Sequence, residues 1–413
     1  MNFYASIREL NLVIGESCQR CNQPFPSAFP YIGSISAAGF THTLDSALRS
    51  FLLKGIVSLA RHSRKRKSRS FKILRFVPRV SFIMTAIMRL SELTTHTFKV
   101  ADGLALTIDV SKPRNAAING IVVIHFHGGF LVIGEKTTFP PYWLINACHA
   151  RGWTYATASY RLMPEASGLE VLSDAVDAVK WVYQHISDRI IIAGSSAGGY
   201  LALATAARPE SPNPIAVLSV YGMLDPTCKR YIEAGTPLQT PIPNLPAELI
   251  EIDAAARNGK VIDGYTFPAN PSVNQRFKWI GALHEGARYP DQLTRIPALA
   301  SQIATQGINA IPEQHRVLFP VSFELKSDFP PTVLLHGTDD VLVGYEQSTA
   351  VAGKMKSLGI DVHLELVEGQ GHGFDTNDID IEAKDREYDD NVVKDSLRRV
   401  TAFLDRAVAN MVL

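Results

Sequence analysis

The chain has 413 residues, of which 46% are hydrophobic and 20% charged, and its formal net charge is +1. That length holds one large α/β domain with additions or two to three ordinary domains, and the composition supports a sizeable buried core while the near-neutral average points to no polyanionic partner. Four cysteines are too few for a disulfide scaffold of this size, and no uninterrupted apolar run reaches the roughly 18–20 residues of a spanning helix.

The charge is unevenly spread. Residues 1–83 carry 13 Lys/Arg against 3 Asp/Glu, whereas the remainder carries 28 against 37. Residues 1–94 therefore read as a basic N-terminal extension. Leu44, Leu48, Phe51, Leu52, Ile56 and Leu59 mark one helical face, and a cluster of Arg and Lys follows at 61–69. The preferred reading is a cap helix followed by a solvated basic linker, or a poorly ordered extension. Two rivals are weaker. Residues 44–79 could lie on an anionic membrane surface, or form a nuclear-localisation or nucleic-acid patch, which no nucleic-acid-binding fold accompanies. Cys18 and Cys21 form a lone C-x-x-C with no further ligands at zinc spacing, so free thiols and no metal are expected. Arg8 and Glu9 interrupt the apolar stretch a secretory leader needs, and the expectation is a soluble, cytoplasmic chain. A shorter product starting at Met84 is expected to keep the activity.

From Thr95 the pattern becomes regular. THTFKV and ALTIDV read as a strand hairpin. Six apolar runs follow: GIVVIH (120–125), WTYATAS (153–159), RIIIAG (189–194), IAVLSVYG (215–222), TVLLHG (332–337) and DVHLELV (361–367). Continuous apolar runs fit strands covered on both faces. Between them lie helical patterns. Leu172, Ala175, Val176, Val179 and Val182 form one stripe within 169–184, and 197–207, 345–358 and the closing stretch are also helical. Alternating strands and helices predict an α/β fold with a mostly parallel sheet and helices on both faces. Residues 226–328 break the rhythm and exceed any ordinary strand-to-helix connection. They read as a cap insertion between two parts of one core, 95–225 and 329–413.

The chemistry centres on RIIIAGSSAGGY (189–200). A nucleophilic serine needs a sharp strand-to-helix turn, and the residues two before and two after it must be very small. Around Ser196 these are Gly194 and Gly198; around Ser195 they are Ala193 and Ala197. Ser196 is therefore the expected nucleophile. It opens a helix, whose free N–H groups and dipole favour negative charge, and the N–H of Ala197 is a candidate oxyanion donor. The loop after an earlier strand, FHGGFLVIG, offers Gly128 and Gly129 as further donors. HGTDDVLVG places Asp339 and Asp340 after the fifth buried strand, and EGQGHGFD places His372 after the sixth. Serine, acid and base in that order fit the α/β-hydrolase arrangement.

Five segments resemble the hormone-sensitive-lipase-like α/β-hydrolases, a family of carboxylesterases. They are HGGFLVIG (127–134), SYRLMPE (159–165), GSSAGG (194–199), GTDDVL (337–342) and HGF (372–374). The resemblance implies the α/β-hydrolase fold and an acid at Asp340 rather than Asp339. It also implies hydrolysis of a small, apolar ester through an acyl-enzyme, without a cofactor. Three departures stand out. Phe130 replaces the third glycine of the oxyanion loop, placing a bulky ring near the pocket, and Ser159 and Ser195 replace aspartates. An amide or formamide hydrolase, or an acyltransferase, would use the same triad. A non-catalytic ligand-binding protein on this fold is the rival of another class. The sequence leaves the specific substrate and the oligomeric state open.

Overall fold

A computed structural model of the chain describes residues 93–113, 119–377, 379–382 and 391–411. The expectations for residues 1–92, including the helical face at 44–59, the basic cluster and Cys18 and Cys21, lie outside the described residues.

Eight strands form one sheet in the order β1-β2-β4-β3-β5-β6-β7-β8. β1 (Leu93–Ala101) and β2 (Leu104–Ser111) are the antiparallel hairpin, turned by Asp102 and Gly103. β2 also runs antiparallel to β4 (Thr154–Ala158). From β4 onward every pairing is parallel, through β3 (Ile121–Phe126), β5 (Arg189–Ser195), β6 (Ala216–Val220), β7 (Thr332–Gly337) and β8 (Val362–Val367).

The apolar runs are continuous because both faces of the central strands are covered. On β3, Val122, Ile124 and Phe126 enter one core, while Ile121 and Val123 enter the other. The first core takes Val171, Ala175, Val179 and Val182 of α2 (Gly168–His185), together with Tyr200 and Leu201 of α3 (Ala197–Ala206). The opposite core takes Trp143 and Leu144 of α1 (Tyr142–Ala150). Leu397, Phe403 and Leu404 of the closing helix, Val392–Asn410, join it there. This is the α/β-hydrolase fold: a mostly parallel sheet wound on both faces.

Residues 226–328 separate β6 from β7. Their main helices are α4 (Leu245–Asn258), α5 (Gln275–Glu285), α6 (Tyr289–Thr294) and α7 (Leu299–Gln306). Ile252, Ile280, Leu283, Tyr289, Leu293 and Ile303 extend the first core without a break. The segment also grips the loop after β3. Gly134 and Tyr265 exchange two backbone hydrogen bonds of 2.8 Å, and Arg276 donates to the carbonyl of Val132 at 2.7 Å. α8 (Glu346–Ser357) and α9 (Val392–Asn410) complete the sequence of helices after β7 and β8.

Candidate active site

The chain leaves β3 toward β4 on one side and reaches β5 on the other, so the crevice at the carboxyl ends of β3 and β5 is the topological switch point of the sheet. Ser196 follows β5 there. Its backbone, φ 56° and ψ −120°, is a conformation side chains rarely adopt. The surrounding chain holds it: the Ser196 N–H donates to Val220 O at 2.8 Å, and its carbonyl accepts from Gly199 and Met223. The close approach that demands small neighbours is explicit. A Cβ on Gly194 would lie 2.0 Å from the carbonyl oxygen of Gly198, and one on Gly198 would lie 2.0 Å from that of Phe126.

Ser196, His372 and Asp340 meet in one hydrogen-bonded line. His372 Nε2 lies 3.1 Å from Ser196 Oγ, and His372 Nδ1 lies 2.6 Å from Asp340 Oδ2. Burial acts to raise the Asp340 pKa, but hydrogen bonds from His336 and His372 outweigh it and hold the carboxyl well below the usual carboxylate range. An ionised carboxylate only accepts, so His372 carries its proton on Nδ1 and turns the Nε2 lone pair to the serine hydroxyl. Asp340 Oδ1 accepts in turn from the backbone N–H groups of Leu342 and Val343, at 2.9 and 3.0 Å. Asp339 is exposed, and its N–H bonds Gln370 O at 2.9 Å.

Ser195 points elsewhere. Its hydroxyl lies 3.0 Å from Nε2 of buried His125. Ser159 bridges to β2, bonding Thr107 through both its N–H and its hydroxyl. The two serines that stand in place of aspartates thus serve local packing.

Gly128 lies against the serine, since a Cβ there would be 3.0 Å from Ser196 Cβ. Gly129 has φ +114°, a region that favours glycine, and a Cβ on it would strike Ile133 O at 2.0 Å. Among the described residues no backbone carbonyl takes the N–H groups of Gly128, Gly129 or Ala197. Phe130 directs its ring into the first core rather than across the crevice. It meets His284 edge-on at 4.9 Å and Tyr289 at 6.4 Å. The backbone bends to allow it, with positive φ at Phe130 and Leu131. His127 stacks on Tyr160 at 4.3 Å, and the Tyr160 hydroxyl donates to His127 O at 2.8 Å, which braces the same loop.

Three groups beside this line had no signal in the reading of the sequence. His336 sits beneath Asp340: its Nε2 donates to Asp340 Oδ2 at 3.2 Å and to Val343 O at 2.9 Å, while its Nδ1 accepts from Ser348. It lies four residues before the acid, at the end of an apolar strand, and only that spacing could have flagged it. The Tyr221 ring lies 4.5 Å from the His372 ring, and its hydroxyl bonds Asp375. Among the described residues no group of three or more His, Cys, Asp or Glu side chains is arranged to hold a metal ion. No described helix is long and apolar enough to cross a membrane.

A family model for the alpha/beta hydrolase fold matches residues 123–248, and one for the prolyl oligopeptidase family matches residues 293–406. A protein of unknown function from Staphylococcus aureus superposes with a TM-score of 0.55 at 20% identity, covering 76% of this chain and 99% of that one. A butyrate-bound esterase from Thermogutta terrifontis superposes at 0.48 and 20% identity, covering 77% and 95%. Non-reducing polyketide synthase pkbA of Emericella nidulans is 25% identical over 323 residues. The match takes in 67% of this chain but only 13% of that protein's length.

The chain has the α/β-hydrolase fold, and its five sequence segments resemble the hormone-sensitive-lipase-like type.

Proposed function

We propose that this hydrolase cleaves a small carboxylic ester through an acyl-enzyme. The observation that carries the reading is the unbroken line from Asp340 through His372 to Ser196, at 2.6 and 3.1 Å. His372 Nε2 takes the proton of the Ser196 hydroxyl as Oγ attacks the ester carbonyl. The negative oxygen of the tetrahedral intermediate meets the N–H groups of Gly128, Gly129 and Ala197. His372 then passes its proton to the leaving alcohol, and water repeats the sequence to free Ser196. Asp340 stays ionised throughout and holds the imidazole tautomer. The insertion at 226–328, which grips the oxyanion loop through Tyr265 and Arg276, serves as the cap over the substrate.

The polyketide synthase relative favours a second reading, in which the same residues act on a polyketide acyl group as a thioester or transfer it to another acceptor. Assays on matched oxygen esters, thioesters and N-formyl aryl amides separate these substrates. Ser196→Ala is expected to lower turnover by about 10⁴–10⁶-fold and to abolish labelling by an organophosphonate. Most activity surviving in that variant excludes the acyl-enzyme, and a wild-type chain that takes up no organophosphonate is a binding protein rather than an enzyme.

A further inference from the structure

His372 lies on the loop after β8. Upstream of it the loop is tied to the end of β7: Gly369 N–H donates to Thr338 Oγ1 at 2.9 Å, and Asp339 N–H donates to Gln370 O at 2.9 Å. Downstream comes Gly373, with φ +79°, and then Asp375. Asp375 is fully buried. Its Oδ1 accepts from the Tyr221 hydroxyl at 2.5 Å and its Oδ2 from Trp143 Nε1 at 2.8 Å. Burial pushes its carboxyl above the usual carboxylate range, and the bonds from Tyr221 and Trp143 oppose that shift. An indole N–H can only donate, and an O–H···O contact that short is typical of an ionised acceptor. Among the described residues no Lys or Arg forms an ion pair with Asp375. A buried carboxylate held by two neutral donors is a costly way to fasten a loop. The Tyr221 ring, bonded to it, lies 4.5 Å from the His372 ring, centroid to centroid.

We propose that Asp375, acting through Tyr221 and the loop they share with His372, is a positioning residue for the imidazole. The proposal rests on the hydrolase reading above. Asp375 fixes the loop three residues beyond His372, so that Nε2 stays aimed at Ser196 Oγ. Its negative charge also favours the imidazolium that forms when the serine proton moves to Nε2. No bond to Asp375 is made or broken, and it stays ionised. The charged and titratable groups facing His372 are then Asp340 from the loop after β7, Tyr221 from the end of β6, and Asp375 from its own loop, with His336 behind Asp340.

The test is Asp375→Asn in the full chain, with Tyr221→Phe beside it. The first readout is kcat and KM on an aryl ester. The second is the titration of the His372 ring proton by NMR, which needs no turnover. In Asp375→Asn we expect kcat to fall about 10–100-fold with KM within about twofold, as for a slightly misplaced reacting group. The His372 titration is expected to move to lower pH, because a charge that favours the protonated ring has gone. A folded Asp375→Asn variant with kcat and His372 titration both unchanged overturns the proposal and leaves Asp375 a structural residue. If that variant does not fold, Tyr221→Phe decides: a fall in kcat at constant KM supports the proposal, and unchanged kcat sinks it. A wild-type chain that cleaves no ester would instead defeat the hydrolase reading, and the His372 titration in Asp375→Asn would still report the coupling.

Discussion

Ser196 is held in a backbone conformation that costs of order 1–3 kcal/mol for a residue with a side chain. The strain persists because three backbone hydrogen bonds fix its N–H and carbonyl and because β5 and α3 can close on each other only through glycine. Gly198→Ala would thrust a methyl group to 2.0 Å from Phe126 O, between α3 and the end of β3. We expect it to destabilise the fold by about 1–3 kcal/mol, with a lower thermal midpoint and slower labelling of Ser196. A Gly198→Ala variant with wild-type midpoint and labelling would show that the two elements can part without loss. The tight turn around Ser196 was legible in the sequence because steric demand there is local. The partnership of Ser195 with His125 was not legible, because it crosses from β5 to β3 over 70 residues.

At the scale of elements, α2 carries its own start signal. Ser167 and Glu170 form a capping box, with Ser167 N–H donating to Glu170 Oε2 at 2.7 Å and Glu170 N–H to Ser167 Oγ at 3.3 Å. Arg161, from the segment resembling the family's, then pins the helix by bonding Asp174 at 2.8 Å, and both side chains are buried. Ser167→Ala is expected to cost about 1 kcal/mol in urea unfolding. Ester turnover should stay within twofold of wild type, since the bonds of the box are between Ser167 and Glu170 and none of them involves Ser196, His372 or Asp340. Strands were readable to within a residue or two, as an apolar run covered on both faces has no competing interpretation once glycine and proline bound it. The helices of 226–328 were not individually readable. Their short apolar stretches pack on the loop after β3 and on one another, and that packing rather than local periodicity decides where they begin and end.

At the scale of the whole molecule, three of the buried histidines among the described residues, His125, His127 and His284, are shifted by loss of water. Desolvation lowers His125 to about 3, His127 to about 4 and His284 to about 3. All three stay neutral in the folded chain at pH values where the unfolded chain, near 6.5, takes up protons. Their contribution to stability is therefore complete above pH 6.5 and is lost as pH falls from there toward 4. Each histidine contributes a slope of up to about 1.4 kcal/mol per pH unit in that window. Urea midpoints measured from pH 7 to pH 4 should fall steeply, and His284→Phe should reduce the slope by about a third if all three act alike. An identical slope in that variant would mean that His284 is already protonated in the folded state.

The sequence by itself determined what depends on neighbours along the chain: the apolar strands, the tight turn at Gly194–Gly198, and the order of Ser196, Asp340 and His372 on loops after β5, β7 and β8. Only the tertiary structure decided what depends on contacts between distant segments. It turned the Phe130 ring into the core, set His336 under Asp340, and put a buried carboxylate at Asp375 between Trp143 and Tyr221. The physical reason is range. Steric and apolar patterning acts over a few residues, whereas a buried polar group finds its partner wherever the sheet brings one within hydrogen-bonding distance.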